Sequence, residues 1–359
     1  MIGNKSRVMK MKKIKKHIIL ASIFLLTSFN CNTTEPPVDN LQPGRRDYVW
    51  SVDTLNSPNN SLHSIWGSSP SDVWVGGPGG VTNYDRLWHF DGNVWKPFSQ
   101  YIAVYPDCIF GFAQNDVWIG GNDGKIFHFD GSTWSQNYRF DSDTIYDTDV
   151  YDISGPSAND IYAIGLIFYH LGDKAKSFVL HYDGINWSPV YITTEYVQYL
   201  QVQKEGDNVY ISGLIRSFGI ESDSVAFYKL SNQNVEKFYQ APLDKITWAT
   251  ICQIGEKTYF LIGKDLTRYI NGKFQTITSF NVNNFWYAVY GRNEKDIFLS
   301  MNDGVAHYNG EDIEYLYHFG NSKTNISSKR SVILDKDVIF TVSDDLNYEN
   351  LILRGKLKE

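Results

Sequence analysis

A thirteen-residue frame returns along the chain, and its period decides what the chain can fold into. Ile65-Trp66-Gly67-Ser68-Ser69-Pro70-Ser71-Asp72-Val73-Trp74-Val75-Gly76-Gly77 recurs as Ile109 to Gly121 around Asp116-Val117-Trp118. It recurs again at Ile153 to Gly165 around Asp160-Ile161-Tyr162, and at Val289 to Met301 around Asp296-Ile297-Phe298. Fainter copies centre on Asn208-Val209-Tyr210, Lys257-Thr258-Tyr259 and Asp337-Val338-Ile339. The seven anchors at 72, 116, 160, 208, 257, 296 and 337 stand 44, 44, 48, 49, 39 and 41 residues apart. Units of this length suit four short strands that cannot bury both their faces alone and must stack on neighbours. The chain is therefore expected to be all-β, a seven-bladed β-propeller of four-stranded blades.

Within a unit, Leu62 to Trp66 reads as a first strand, Asp72 to Val75 as a second, Leu87-Trp88-His89-Phe90 as a third and Val94 to Phe98 as a fourth. Asp91-Gly92 joins the last two and returns as Asp130-Gly131, Asp183-Gly184, Asn271-Gly272 and Asn309-Gly310. These pairs predict two-residue hairpins, in which both central residues take positive φ. The seventh unit runs out near Glu359 before a fourth strand. Asp47 to Val52 supplies a candidate, with Trp50 in the place of Trp95. Pairing the two ends would remove an open sheet edge. Residues 45–359 then hold 45 residues per blade.

The frame Trp-Gly-Ser-Ser-x-x-Asp-Val-Trp-Val-Gly-Gly, followed by His-Phe-Asp-Gly-x-x-Trp, resembles the repeat of secreted bacterial β-propeller lipoproteins. The resemblance spans nearly all of residues 45–359, sharp in blades one, two, three and six and faint in four, five and seven. It implies export and a lipid anchor.

The N-terminus carries the same expectation independently. Residues 1–30 hold seven Lys or Arg and no acidic residue, and they contain the apolar run Ile18 to Phe29. Twelve residues make a helix of about 18 Å, too short for a bilayer core of about 30 Å, which fits a signal peptide. Cys31 follows directly, and Asn32 to Pro37 turns polar and proline-rich, so Cys31 is the expected lipidation site. Residues 1–30 are then the signal, 31–44 a flexible linker and 45–359 the propeller. Cleavage would shift the net charge from −7 to about −14, which disfavours nucleic acid and leaves the lipid as the means of membrane contact. Cell-envelope localisation, at the outer membrane or cell surface, follows. Cys108 and Cys252 fall on blades two and five, too far apart for a disulfide, and two buried free thiols are expected.

Four of the eight histidines, His89, His128, His181 and His307, repeat at one third-strand position. Chemistry needs a residue once, whereas packing needs it in every blade, so these are expected to be structural. No metal-ligand spacing occurs among His63, His170 and His318. Asp141 to Asp152 gathers carboxylates that suggest a solvated acidic loop, with calcium as the alternative. Neither a cofactor nor a catalytic residue is assigned, and a monomer is expected.

What does not repeat is more informative about function. Connectors between blades and loops between second and third strands emerge on one face, which receives the long inserts Leu166 to Ser177 and Leu214 to Ser224. Variable loops on a rigid frame are where binding residues concentrate. Phe168, Tyr169, His170, Tyr191, Tyr196, Tyr199, Arg216 and Phe218 form the expected ligand-binding patch. The expected function is a surface-attached binding or scaffolding propeller for an envelope or extracellular protein, or a glycan. The alternative is an extracellular polysaccharide hydrolase or lyase on the same scaffold.

Overall fold

In a computed structural model, all the blades fall within residues 41–359. The structure describes residues 41–57, 62, 64–77, 86–141, 147–168, 175–217, 222–231, 234–319, 324–326, 330–344 and 347–359. Cys31, Tyr169, His170 and Phe218 lie outside the described residues. So does the signal segment.

The described residues build seven four-stranded antiparallel blades. Blade one comprises Ser64–Ser69, Asp72–Gly76, Leu87–Phe90 and Trp95–Pro97, and blade two Pro106–Ala113, Asp116–Gly121, Lys125–Phe129 and Trp134–Arg139. Blade three follows with Asp147–Ser157, Asp160–Phe168, Ala175–Tyr182 and Trp187–Ile192. Blade four has Gln198–Glu205, Asn208–Ile215, Ser224–Ser231 and Asn234–Pro242. Blade five is Ala249–Ile254, Lys257–Ile262, Asp265–Ile270 and Lys273–Ser279; blade six is Phe285–Asn293, Asp296–Met301, Gly304–Tyr308 and Ile313–His318. Each of the seven anchor residues opens the second strand of its blade. The repeat thus marks strand starts, not only a period.

Blade seven is completed from the other end of the chain. Its inner strand is split into Thr324–Ile326 and Val332–Ile333, both paired with Asp337–Asp344, which pairs with Glu349–Leu357. Tyr48–Leu55 is the fourth strand, antiparallel to Glu349–Leu357 through eight residue pairs. Trp50 faces Gly355 in the place that Trp95 takes opposite Phe90. A Cβ at Gly355 would stand 2.7 Å from the Trp50 ring, so only glycine admits the indole there. First strands of successive blades touch in turn, and blade seven touches blade one. The ring is closed by the N-terminal strand.

The core lies in the seams between blades. Seven buried clusters are each shared by two consecutive blades, for example Trp74, Leu87, Ile109, Ile119 and Trp134 between blades one and two. Second strands are covered on both faces, which explains apolar runs such as Val73-Trp74-Val75 where a half-exposed strand would alternate. Trp74 and Trp118 are buried. Truncating such a side chain to alanine costs about 3–5 kcal/mol.

One local expectation is corrected. Of the five predicted pairs, only Asn271-Gly272 forms a two-residue hairpin with both residues at positive φ, 51° and 78°. In blades one, two, three and six the glycine alone has positive φ. There the preceding side chain turns back into the loop. Asp91, Asp130, Asp183 and Asn309 each accept backbone N–H bonds from the residues two and three further on, at 2.8–3.0 Å. This side-chain turn satisfies donors that the longer loop leaves open. The Thr133 N–H, helped by Ser132, draws the Asp130 carboxyl down to about 2.

Candidate functional site

The recurrent histidines pair with the recurrent aspartates. His89, His128, His181 and His307 place Nε2 at 2.7, 2.9, 2.8 and 2.7 Å from Asp72, Asp116, Asp160 and Asp296. Each imidazole also packs against the ring two residues after its aspartate, Trp74, Trp118, Tyr162 or Phe298, at 4.2–4.8 Å. Second and third strands are clasped beside the turns, at the same point in four blades. Burial opposes ionisation of Asp72, yet the bonds from His89 and Ser68 hold its carboxyl below the ordinary value. Asp296 behaves alike, with burial opposed by His307 and Arg292. These pairs are parts of the frame.

Blade six adds a cover. The Gly44 N–H donates to Lys295 O at 2.8 Å, and a Cβ on Gly44 would meet Asp296 Oδ1 at 2.5 Å. Arg46 reaches His307 O, Asp312 and Glu314. His307 is accordingly 0% exposed, whereas the other three imidazoles are a quarter or more exposed. The chain therefore enters the ring on the turn-and-hairpin face and passes along Tyr48–Leu55 to the connector face.

First strands line a central cavity of about 270 Å³. Arg330, from the break in the inner strand of blade seven, crosses to blade three and donates to Asp152 Oδ1 and Ile153 O, both at 2.6 Å. Its guanidinium also lies 5.4 Å from the centre of the Phe110 ring. Asp152 Oδ2 accepts the Val202 N–H at 3.0 Å. Gln201 bonds Thr250, and Gln203 bonds Ser154. The last carboxylate of the acidic segment thus ties blades three, four and seven together. Residues 142–146 of that segment lie outside the described residues, and among the described residues no group of three or more metal-ligating side chains stands together. Cys108 and Cys252 form no disulfide; Cys108 is buried, Cys252 is only partly so, and enclosure pushes its thiol up to about 12.

The expected patch on the connector face is brought together in part. Phe168 ends a second strand half-buried, Tyr191 sits half-buried on the outer strand of blade three, and Tyr196 is exposed with Lys176 Nζ 6.0 Å from its ring centre. Arg216 is half-exposed and bound to Asp223 at 2.8 Å, which also accepts the Ser217 N–H, so it pins the base of its own insert. Tyr199 lies elsewhere. It is 1% exposed, packed 5.2 Å from Tyr228 in the seam of blades three and four. A bulge between Tyr199 and Gln201 resets the alternation of the strand and turns that ring inward.

A second cluster on the same face escaped the sequence reading. Trp248 ends the connector into blade five, and Trp286 and Tyr287 stand where blade six begins. Between Phe285 and Val289 the strand carries two more residues than its partner, a wide bulge, and Tyr287 adopts φ 54°. Positive φ is rare for a bulky aromatic and concentrates at ligand sites. Trp286 is 45% exposed, and with Thr247, Trp248 and Tyr287 it bounds a cleft of about 380 Å³. The available signal was Phe285-Trp286-Tyr287, three rings where the other frames alternate.

No protein-family model and no curated protein matches this chain. Solved structures do. It is similar to YCF48 bound to D1 peptide, with 11% identity, TM-score 0.56, and 89% of this chain and 100% of that one covered. Virginiamycin B lyase from Staphylococcus aureus aligns with 13% identity and TM-score 0.57, over 87% and 100% of the two chains. An oligogalacturonate lyase in complex with manganese aligns with 9% identity and TM-score 0.55, over 89% and 99%. At such identities the likeness is one of fold.

Proposed function

We propose that the chain is a binding or scaffolding propeller, attached to the cell envelope through lipid on Cys31, that recognises an envelope or extracellular protein, or a glycan, through its connector face. The observation that carries this reading is the cleft of Trp248, Trp286 and Tyr287. An exposed indole beside a strained residue on a rigid frame supplies large contact area at little entropic cost, and it stacks on sugar or peptide alike. A similar propeller is known with a peptide bound, which suits the reading. Lyases share the fold; here the channel carboxylate Asp152 is already held by Arg330 and the Val202 N–H, which favours binding over acid–base work.

Trp286→Ala should leave the melting temperature within a few degrees, because the side chain is half in solvent. It should weaken capture of a defined panel of envelope polysaccharides and purified envelope proteins by about tenfold or more, the scale of a central aromatic contact. Undiminished capture by a folded variant would remove this cleft from the function. Fatty-acid labelling that persists in Cys31→Ser would remove the anchor.

A further inference from the structure

A smaller cleft, of about 150 Å³, opens between the outer strands of blades three and four beside the connector from Thr193 to Val197. Tyr191 lines it from blade three, Val235 and Lys237 line it from blade four, and Tyr199 and Tyr228 line its inner side. Tyr228 is 6% exposed, and its hydroxyl has no hydrogen-bond partner among the described residues. Buried hydroxyls are nearly always satisfied, so this donor points to an acceptor that binds from outside. Burial, followed by the nearby Glu195 carboxylate, holds the Tyr228 phenol well above its ordinary range, and the group remains a donor.

The lining narrows the occupant. Glu195 offers acceptors only, whereas Lys237, bonded to Gln240 Oε1 at 2.8 Å, offers donors. Their charges cancel, which disfavours an anion or a cation. A cavity of about 150 Å³ accommodates one six-membered ring. An apolar ring would leave Tyr228 unsatisfied, while a ring bearing hydroxyls accepts from Tyr228, donates to Glu195 and lays its C–H face on Val197, Val235 or Tyr191. We propose that this cleft holds a single neutral sugar residue, a second contact point beside the aromatic cleft of blades five and six. The proposal rests on the glycan branch of the proposed function.

Saturation-transfer NMR with the methyl glycosides of glucose, galactose, mannose and N-acetylglucosamine tests it on the folded protein. At least one should receive saturation from the wild type, and Tyr228→Phe should cut that transfer fivefold or more. That substitution keeps the ring and removes only an unpartnered hydroxyl, so the melting temperature should hold or rise. Ile185→Ala, an exposed change on the hairpin of blade three away from both clefts, should leave the transfer unchanged. Transfer to none of the four from the wild type, or equal transfer in Tyr228→Phe, overturns the proposal. Transfer lost in Trp286→Ala but kept in Tyr228→Phe overturns it too, and leaves the connector-face reading standing.

Discussion

Blades one, two, three and six fasten themselves, whereas blades five and seven fasten to their neighbours. In the first group an aspartate at the start of the second strand holds a histidine on the third strand of the same blade. In the second group a cation stands where the histidine would be. Arg268 of blade five reaches Glu205 of blade four at 2.7 Å. Arg354 of blade seven, opposite Ile339, donates to Pro70 O of blade one and covers the Phe90 ring at 4.4 Å. Blade four, with Lys229 opposite Tyr210 and Asn208 at the anchor, has lost the pair too. Where the motif fades in blades five and seven, a bridge to a neighbouring blade stands in the place of the clasp; in blade three the two coexist, since Asp160 also holds Lys204 of blade four at 2.7 Å.

The largest expected effect comes from removing the extreme case of outside fastening. Deleting residues 41–55 strips blade seven of its fourth strand and the eight pairs with Glu349–Leu357, exposing an edge. The truncated protein should aggregate or lose its cooperative melting transition, checked by calorimetry and light scattering. A melt like that of the full chain would mean that blade seven needs no outside strand.

Next comes the buried clasp. His307→Ala leaves Asp296 enclosed with Arg292 alone and should cost about 2–3 kcal/mol by urea denaturation, the range for a hydrogen bond to a charged group. The same change at the partly exposed His128 should cost about 1 kcal/mol. Equal costs would show that the covering by Gly44 and Arg46 adds nothing. Both Asp296 and Asp72 have depressed native pKa values. Their contribution is complete above the unfolded value of about 4 and is lost as pH falls through the lower native one.

The smallest effect sharpens the contrast most. A double-mutant cycle on Arg268 and Glu205 should return a coupling of about 0.5–1 kcal/mol, since both side chains are partly exposed. His181 and Glu205, which share no bond, should return none. Absence of coupling between Arg268 and Glu205 would leave blade five without its proposed fastening.

The ring was legible because every blade solves one packing problem with the same residues. Asp72, Asp116 and Asp160 could be matched by eye, and Trp50 could be given the place of Trp95 in a closing strand; the structure sets it opposite Gly355, 305 positions away. Departures from the pattern were not legible. The aspartate–glycine pairs signalled the hairpins, but not that the carboxylate would cap a longer loop and leave only the glycine at positive φ. Tyr199 was assigned to the surface because a bulge, which sequence spacing does not announce, reverses which side of a strand faces inward. Trp286 and Tyr287 were passed over for the same reason, their exposure being set by two inserted residues. The proposed contact residues sit where the repeat is broken, which is where a repeat-based reading has least to compare.

The entry of the chain into the ring also fixes how the protein would bear load. A pull on the polypeptide ahead of Leu41 first meets the Gly44 bond to Lys295 and the Arg46 contacts on blade six. Only after those yield does tension reach Tyr48–Leu55, where it runs along the strand and strains eight residue pairs together in shear instead of peeling them singly. The first segment acts as a strain relief, and the ring it closes can be held by one end without being pulled open.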